Sequence, residues 1–105
     1  MIQAMELRIT EQADRLTIAF CGDLDNEAAP ETEKKLTRVF MQDEYDVLLD
    51  CTDLRYISSK GLRLLVTLYK HIRDTGHKAF IRMMNKNVRE ALEIGGFLRI
   101  YEEIE

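Results

Sequence analysis

Ser58-Ser59-Lys60-Gly61 is the segment with the most chemistry open to it. Two hydroxyls stand where a helical apolar pattern begins, and a glycine follows in its first turn. A helix N-terminus presents unpaired backbone N–H groups and the positive end of the helix dipole, which favours a phosphate there. A phosphoserine would add about −1.5 to −2 charge. The local alternative is that Ser58 simply caps the helix. Gly61 is expected to leave backbone open to an approaching partner. A second segment, Gly22-Asp23-Leu24-Asp25-Asn26, reads as a turn followed by a helix cap. Its functional alternative is an acidic loop that contacts a partner or orients the serine loop. Beside Asp23 and Asp25, a phosphoserine would repel an acidic partner or disturb a docked surface.

Other chemistry finds no constellation. Neither His71 nor His77 stands near a nucleophile in these loops; the pattern puts one on a helix surface and one in a turn. No GxxxxGK[ST], GxGxxG or HExxH motif occurs. Asp50 and Asp53 are carboxylates beside a strand end, too few to define a cation site. The two cysteines, Cys21 and Cys51, are too few for the disulfide framework of a small secreted domain, and their spacing is not that of a zinc site. They read as buried thiols at strand ends. Met83 and Met84 read as core and edge packing. The expectation is no catalytic residue, no metal and no cofactor.

The elements that must position the two loops follow from hydrophobic periodicity. Met5, Leu7 and Ile9 alternate with polar residues, as do Leu16, Ile18 and Phe20; a short polar link makes them an antiparallel hairpin. Gly22 is expected to end the second strand. Asp25 or Asn26 then caps a helix with Pro30 near its first turn, Thr32 taking the place of Glu33 on the inner stripe, and an end near Met41. Val47-Leu48-Leu49 suits a strand buried on both faces. Asp50 and Cys51 are expected to end it, with a loop through Leu54, Tyr56 and Ile57 leading to the serines. Leu62, Leu65, Val66, Leu68, Tyr69 and Ile72 mark the next helix, stopped by Gly76. Residues 79–83 read as a strand, Asn85 caps a helix through Val88, Ala91, Leu92 and Ile94, and Gly95-Gly96 end it. Residues 97–101 read as a last extended segment before an acidic tail. The order β-β-α-β-α-β-α-β implies an α/β fold: a mixed, mostly parallel sheet with one antiparallel N-terminal strand and three to four helices. In such sheets, sites gather at the carboxyl ends of strands, and both loops lie there.

Composition bounds the class. The chain has 105 residues, enough for one domain, 1–105. Fifteen Lys+Arg against 19 Asp+Glu leave a net charge of −4, a poor match to nucleic acid. Hydrophobic residues make up 46%, which favours a packed core over disorder. No apolar run approaches the roughly 20 residues of a membrane span. Residues 1–10 alternate like a strand rather than a signal peptide. A cytoplasmic protein is expected.

The stretch Asp53-Leu-Arg-Tyr-Ile-Ser-Ser-Lys-Gly-Leu-Arg-Leu-Leu65 resembles the serine loop of the STAS domain, the family of bacterial anti-sigma factor antagonists and of a related domain in sulfate transporters. Gly22-Asp23-Leu24-Asp25 matches that family's G-x-L-D turn. A strand ending in Asp, residues 47–50, precedes the loop, and Gly96-Phe97 precedes the final strand. The likeness runs over residues 5–101. It implies partner switching: the domain binds an anti-sigma factor of the serine-kinase type, the kinase phosphorylates a loop serine to release it, and a phosphatase resets it. Asp23, Asp25, Tyr56, Ser58, Ser59, Lys60, Gly61 and Arg63 are then the expected partner-binding residues. The position directly before the loop glycine, where the family carries its phosphoacceptor, is Lys60. Ser59 is therefore the first candidate acceptor; a constitutive, unphosphorylated binder comes next, then Ser58.

Three classes of function follow. The first is a non-catalytic interaction module of the anti-sigma antagonist type. The second is a docking subunit of a larger assembly, a lipid-transport or signalling complex. The third, a nucleotide binder or enzyme, has no residues here that position a triphosphate. The sequence leaves the oligomeric state open.

Overall fold

The computed structural model describes residues 5–105. The strand reading over residues 1–4 lies outside them. The hairpin forms as expected: β1 (Glu6–Gln12) pairs antiparallel with β2 (Arg15–Leu24). After α1 (Ala28–Lys35) and the short α2 (Thr37–Phe40) the chain enters β3 (Asp46–Ile57). Then come α3 (Ser59–Asp74), β4 (Ala79–Arg82), α4 (Lys86–Ile94) and β5 (Glu102–Ile104). The five strands form one sheet in sequence order, parallel beyond the first pair. The expected α/β architecture therefore stands, with four helices among the described residues.

Successive residues of a strand face opposite sides, so register sorts the sheet into two faces. Leu16, Ile18, Phe20, Val47, Leu49 and Ile81 join Ala29, Leu36, Leu65, Leu68, Ile72, Val88 and Leu92 of the helical segments in one buried cluster. Leu48 is also buried but lies outside that cluster, on the face it shares with Thr17 and Phe80. There the Arg15 guanidinium stands over the Phe80 ring at 5.9 Å.

Several boundaries differ from the expectation. The first helix does not run unbroken to Met41. It turns at Leu36, whose N–H reaches both Thr32 O and Glu33 O (3.0 and 3.1 Å), while the Thr37 hydroxyl bonds back to Lys34 O (2.6 Å). That hydroxyl competes with the helical ladder, and the turn keeps Thr32, Leu36 and Val39 all buried. Gly22 does not end β2. It sits inside the strand at φ 112°, beside register shifts at Ala19/Cys21 and Gly22/Asp23, a conformation glycine adopts without strain. The ladder with β3 continues to Leu24–Ile57. The segment expected to be a loop after Cys51 is strand for the same reason: the bulge changes the buried spacing to Cys51, Leu54, Ile57 and hides the period of two.

Cys21 is exposed rather than buried, since it falls on the sheet face away from the main core; Cys51 is fully buried. Met83 ends β4 with φ 59° and is half exposed, and Ile94 points to solvent. Residues 98–100 turn rather than extend, and the acidic tail supplies β5, which pairs with β4. Backbone pairing at a sheet edge does not need apolar side chains, so periodicity is silent there.

Candidate functional site

The two loops meet because β2 and β3 run side by side past the end of β4. Asp23 pairs with Tyr56 and Leu24 with Ile57, and the Ser58 N–H then donates to Leu24 O at 2.9 Å. That bond closes the corner from which α3 departs. Ser58 is buried, and its Oγ accepts from the Gly61 N–H at 3.2 Å, so it is the N-cap of α3. Ser59 and Lys60 follow on the exposed side of the first turn, and Arg63 is exposed one turn later.

Gly61 does not offer its backbone to a partner, contrary to expectation. It is buried against the corner. A Cβ there would lie 2.7 Å from Leu24 O and 2.8 Å from Ile57 Cγ1. The glycine lets α3 sit down on the end of β2, and this seating puts Ser59 where it is.

The acidic segment divides its labour. Asp25 Oδ1 accepts from the N–H groups of Glu27 (3.1 Å) and Ala28 (2.8 Å), which starts α1. Asp23 lies 3.5 Å from the Arg55 Nε across the strand pair, both partly exposed, with Tyr56 half exposed beside them. Asp53 pairs with Cys21, two residues short of Asp23, and Asp50 lies further back. Asp50 pairs with Ala19 and Arg82, seven residues before Ile57, or about 20 Å along the strand. Its carboxylate accepts from the Thr52 N–H and hydroxyl. Burial pushes the Cys51 thiol up to about 12, with neighbouring Asp50 adding to the effect, so it stays a neutral thiol at neutral pH.

Two contributors escape a reading by sequence. Asn85 caps α4 through its Oδ1, which accepts from the Val88 N–H at 2.8 Å. Its Nδ2 donates to Leu54 O and Arg55 O (3.0 and 3.1 Å), tying α4 to the strand that carries Tyr56. Only the cap was legible. The other contributor is α1, which forms a groove with α3 through Ala29, Pro30 and Glu33. Nothing local in that stretch signals a site.

The STAS domain family matches residues 4–105. This chain belongs to that family. The STAS domain is 34% identical over 92 residues to BtrV of Bordetella bronchiseptica, a candidate anti-sigma factor antagonist, covering 87% of this chain and 79% of that protein. Solved structures share its fold. An anti-sigma-factor antagonist STAS domain protein from Planctomyces limnophilus superposes with a TM-score of 0.84 at 16% identity, over 94% of this chain and 88% of that one. The anti-sigma factor antagonist SpoIIAA in its unphosphorylated form superposes with a TM-score of 0.71 at 14% identity, over 97% and 88%. SpoIIAA of Bacillus in its phosphorylated form gives 0.71 at 14% as well. In the STAS domain described here, no helix among the described residues is long and apolar enough to cross a membrane.

Proposed function

We propose that this STAS domain is an anti-sigma factor antagonist that binds a serine-kinase-type anti-sigma factor through the rim formed by Asp23, Tyr56, Ser59, Lys60 and Arg63, and that Ser59 is the residue a partner kinase modifies. Asp25, Ser58 and Gly61 serve the same surface from within, as cap, cap and seat. One observation supports the choice of serine most: Ser58 Oγ is buried and committed to the Gly61 N–H, whereas Ser59 is exposed one residue later. Phosphoryl transfer needs an accessible hydroxyl whose oxygen replaces ADP on the γ-phosphorus and whose proton passes to a base on the kinase. Ser59 meets the access requirement without unfolding a cap. The phosphoryl group would add charge at the interface and release the partner, and a phosphatase would reset it.

Lys60 favours a second reading. It occupies the position directly before the loop glycine and is exposed, so the domain would bind constitutively. One experiment separates the two. The chain is titrated calorimetrically with the kinase-type anti-sigma factor encoded beside it, then incubated with that kinase and ATP and analysed by peptide mass spectrometry. Binding followed by a phosphate on Ser59, absent from Ser59→Ala, supports the switch. Binding with no phosphopeptide supports the constitutive form. A partner encoded instead among transporter ATPase and permease genes, and bound by the same rim, points to a docking subunit.

A further inference from the structure

Beside the rim, α1 and α3 enclose an open groove of about 290 Å³. Ala29 and Leu64, both buried, form its floor; Pro30 and Glu33 stand on one wall, Lys60 and Arg63 on the other. Lys60, Arg63 and Leu64 all face the groove because residues three and four apart lie on one helix face. Six Lys and Arg side chains among the described residues are in ion pairs: Lys34, Arg38, Arg55, Arg73, Lys86 and Arg89. Lys60 and Arg63 are in none, and Glu33 facing them pairs with neither. In a chain of net charge −4, this groove joins two uncommitted cations to one uncommitted carboxylate over an apolar floor.

We infer that the groove receives an acidic segment of the protein partner, one that sets a carboxylate between Lys60 and Arg63 and an apolar side chain on Ala29 and Leu64. This rests on the proposed function and names the chemistry of its partner. Charge complementarity calls for an anionic group, since two exposed cations attract a carboxylate, and the open groove's volume, just below the about 300–1,000 Å³ typical of small-molecule pockets, favours a protein segment over a cofactor. Glu33 supplies selectivity, since it repels a segment shifted toward α1 and so fixes the register. Lys60, unhelpful to the helix dipole where it stands, has a use in this arrangement.

The test measures affinity of the full chain for the kinase-type anti-sigma factor at about 0.1 M salt, where the screening length is about 10 Å, and again at about 1 M, where it is about 3 Å. The variants are Lys60→Glu/Arg63→Glu and Glu33→Lys, each checked for an unchanged unfolding midpoint. The double reversal is expected to weaken binding by about tenfold or more at low salt, and Glu33→Lys to tighten it by about threefold, both effects shrinking at high salt. Binding that the double reversal weakens but Glu33→Lys leaves unchanged overturns the groove while leaving the proposed function standing, since Lys60 and Arg63 belong to the rim as well and Glu33 to the groove alone. No complex with the wild-type chain overturns the proposed function and the groove together. A wild-type dimer in sedimentation that the double reversal dissolves makes the occupant a second copy and equally overturns the inference.

Discussion

Replacing Gly61 by alanine tests how the serine is held in place. The added Cβ would meet Leu24 O at 2.7 Å, Ile57 Cγ1 at 2.8 Å and Leu24 Cγ at 2.9 Å. An ordinary carbon–oxygen contact is about 3.3 Å or more, so α3 must lift by roughly half an ångström. Leu24 O also accepts the Ser58 N–H, and the lift stretches that bond. Overpacking of this kind costs about 1–3 kcal/mol. Alanine regains about 0.5–1 kcal/mol of helix propensity. The net expectation is a loss of about 1–2 kcal/mol, which for a domain of this size lowers the unfolding midpoint by roughly 4–15 °C. Thermal unfolding followed by circular dichroism reads this directly. A Gly61→Ala chain as stable as wild type, or more so, would refute the seating of α3 on the end of β2.

Ser58→Ala should cost about 1 kcal/mol by loss of the cap, whereas Ser59→Ala should stay within about 0.5 kcal/mol; denaturant midpoints compare them, and equal costs would contradict their different placement. Asn85→Ala removes a cap and two bonds to β3, and should cost about 1–2 kcal/mol in the same assay, against near zero if Asn85 were only a surface residue. At the opposite end of the sheet, His77 meets an acceptor at each ring nitrogen, Asp43 O at 2.5 Å and Asp46 Oδ1 at 3.1 Å, so both bonds are made only by the imidazolium. The Asp43 carbonyl, then Asp46, holds the His77 pKa above its ordinary 6.5. Its stabilisation is full below that value and lost as pH rises through the raised one. Asp46 is held below 3.8, chiefly by the Lys78 N–H and then by His77; its contribution is present above 3.8 and lost as pH falls through the lowered value. Unfolding free energies across pH should therefore fall above pH 6.5, and His77→Gln should flatten that fall; an unchanged slope would count against the clamp.

The alternating order of elements was legible because burial on one sheet face and one helix stripe prints a period of two or 3.6 into the chain. Leu16, Ile18 and Phe20 do this plainly, and so do Leu65, Leu68 and Ile72. The ends of the strands were not legible. At Gly22 and at Thr52-Asp53 the register shifts, so the inward spacing changes just where the site begins. The apolar run predicts an end to β3 at Asp50 and Cys51, whereas the strand continues to Ile57. The serine loop was readable as a motif, yet the direction of Gly61 was not, because a glycine required by close packing and one open to a partner look alike in one dimension. The groove joins residues about 30 apart in the chain, Ala29 to Lys60, and only the folded helices bring them together.

Hydrogen exchange on the complex with the kinase-type anti-sigma factor tests the central claim most directly. The account predicts slowed exchange at residues 23–26 and across the start of α3, from Ser59 to Arg63, with the His77 end of the sheet unchanged. Protection confined to the His77 end, or none at saturating partner, would contradict it.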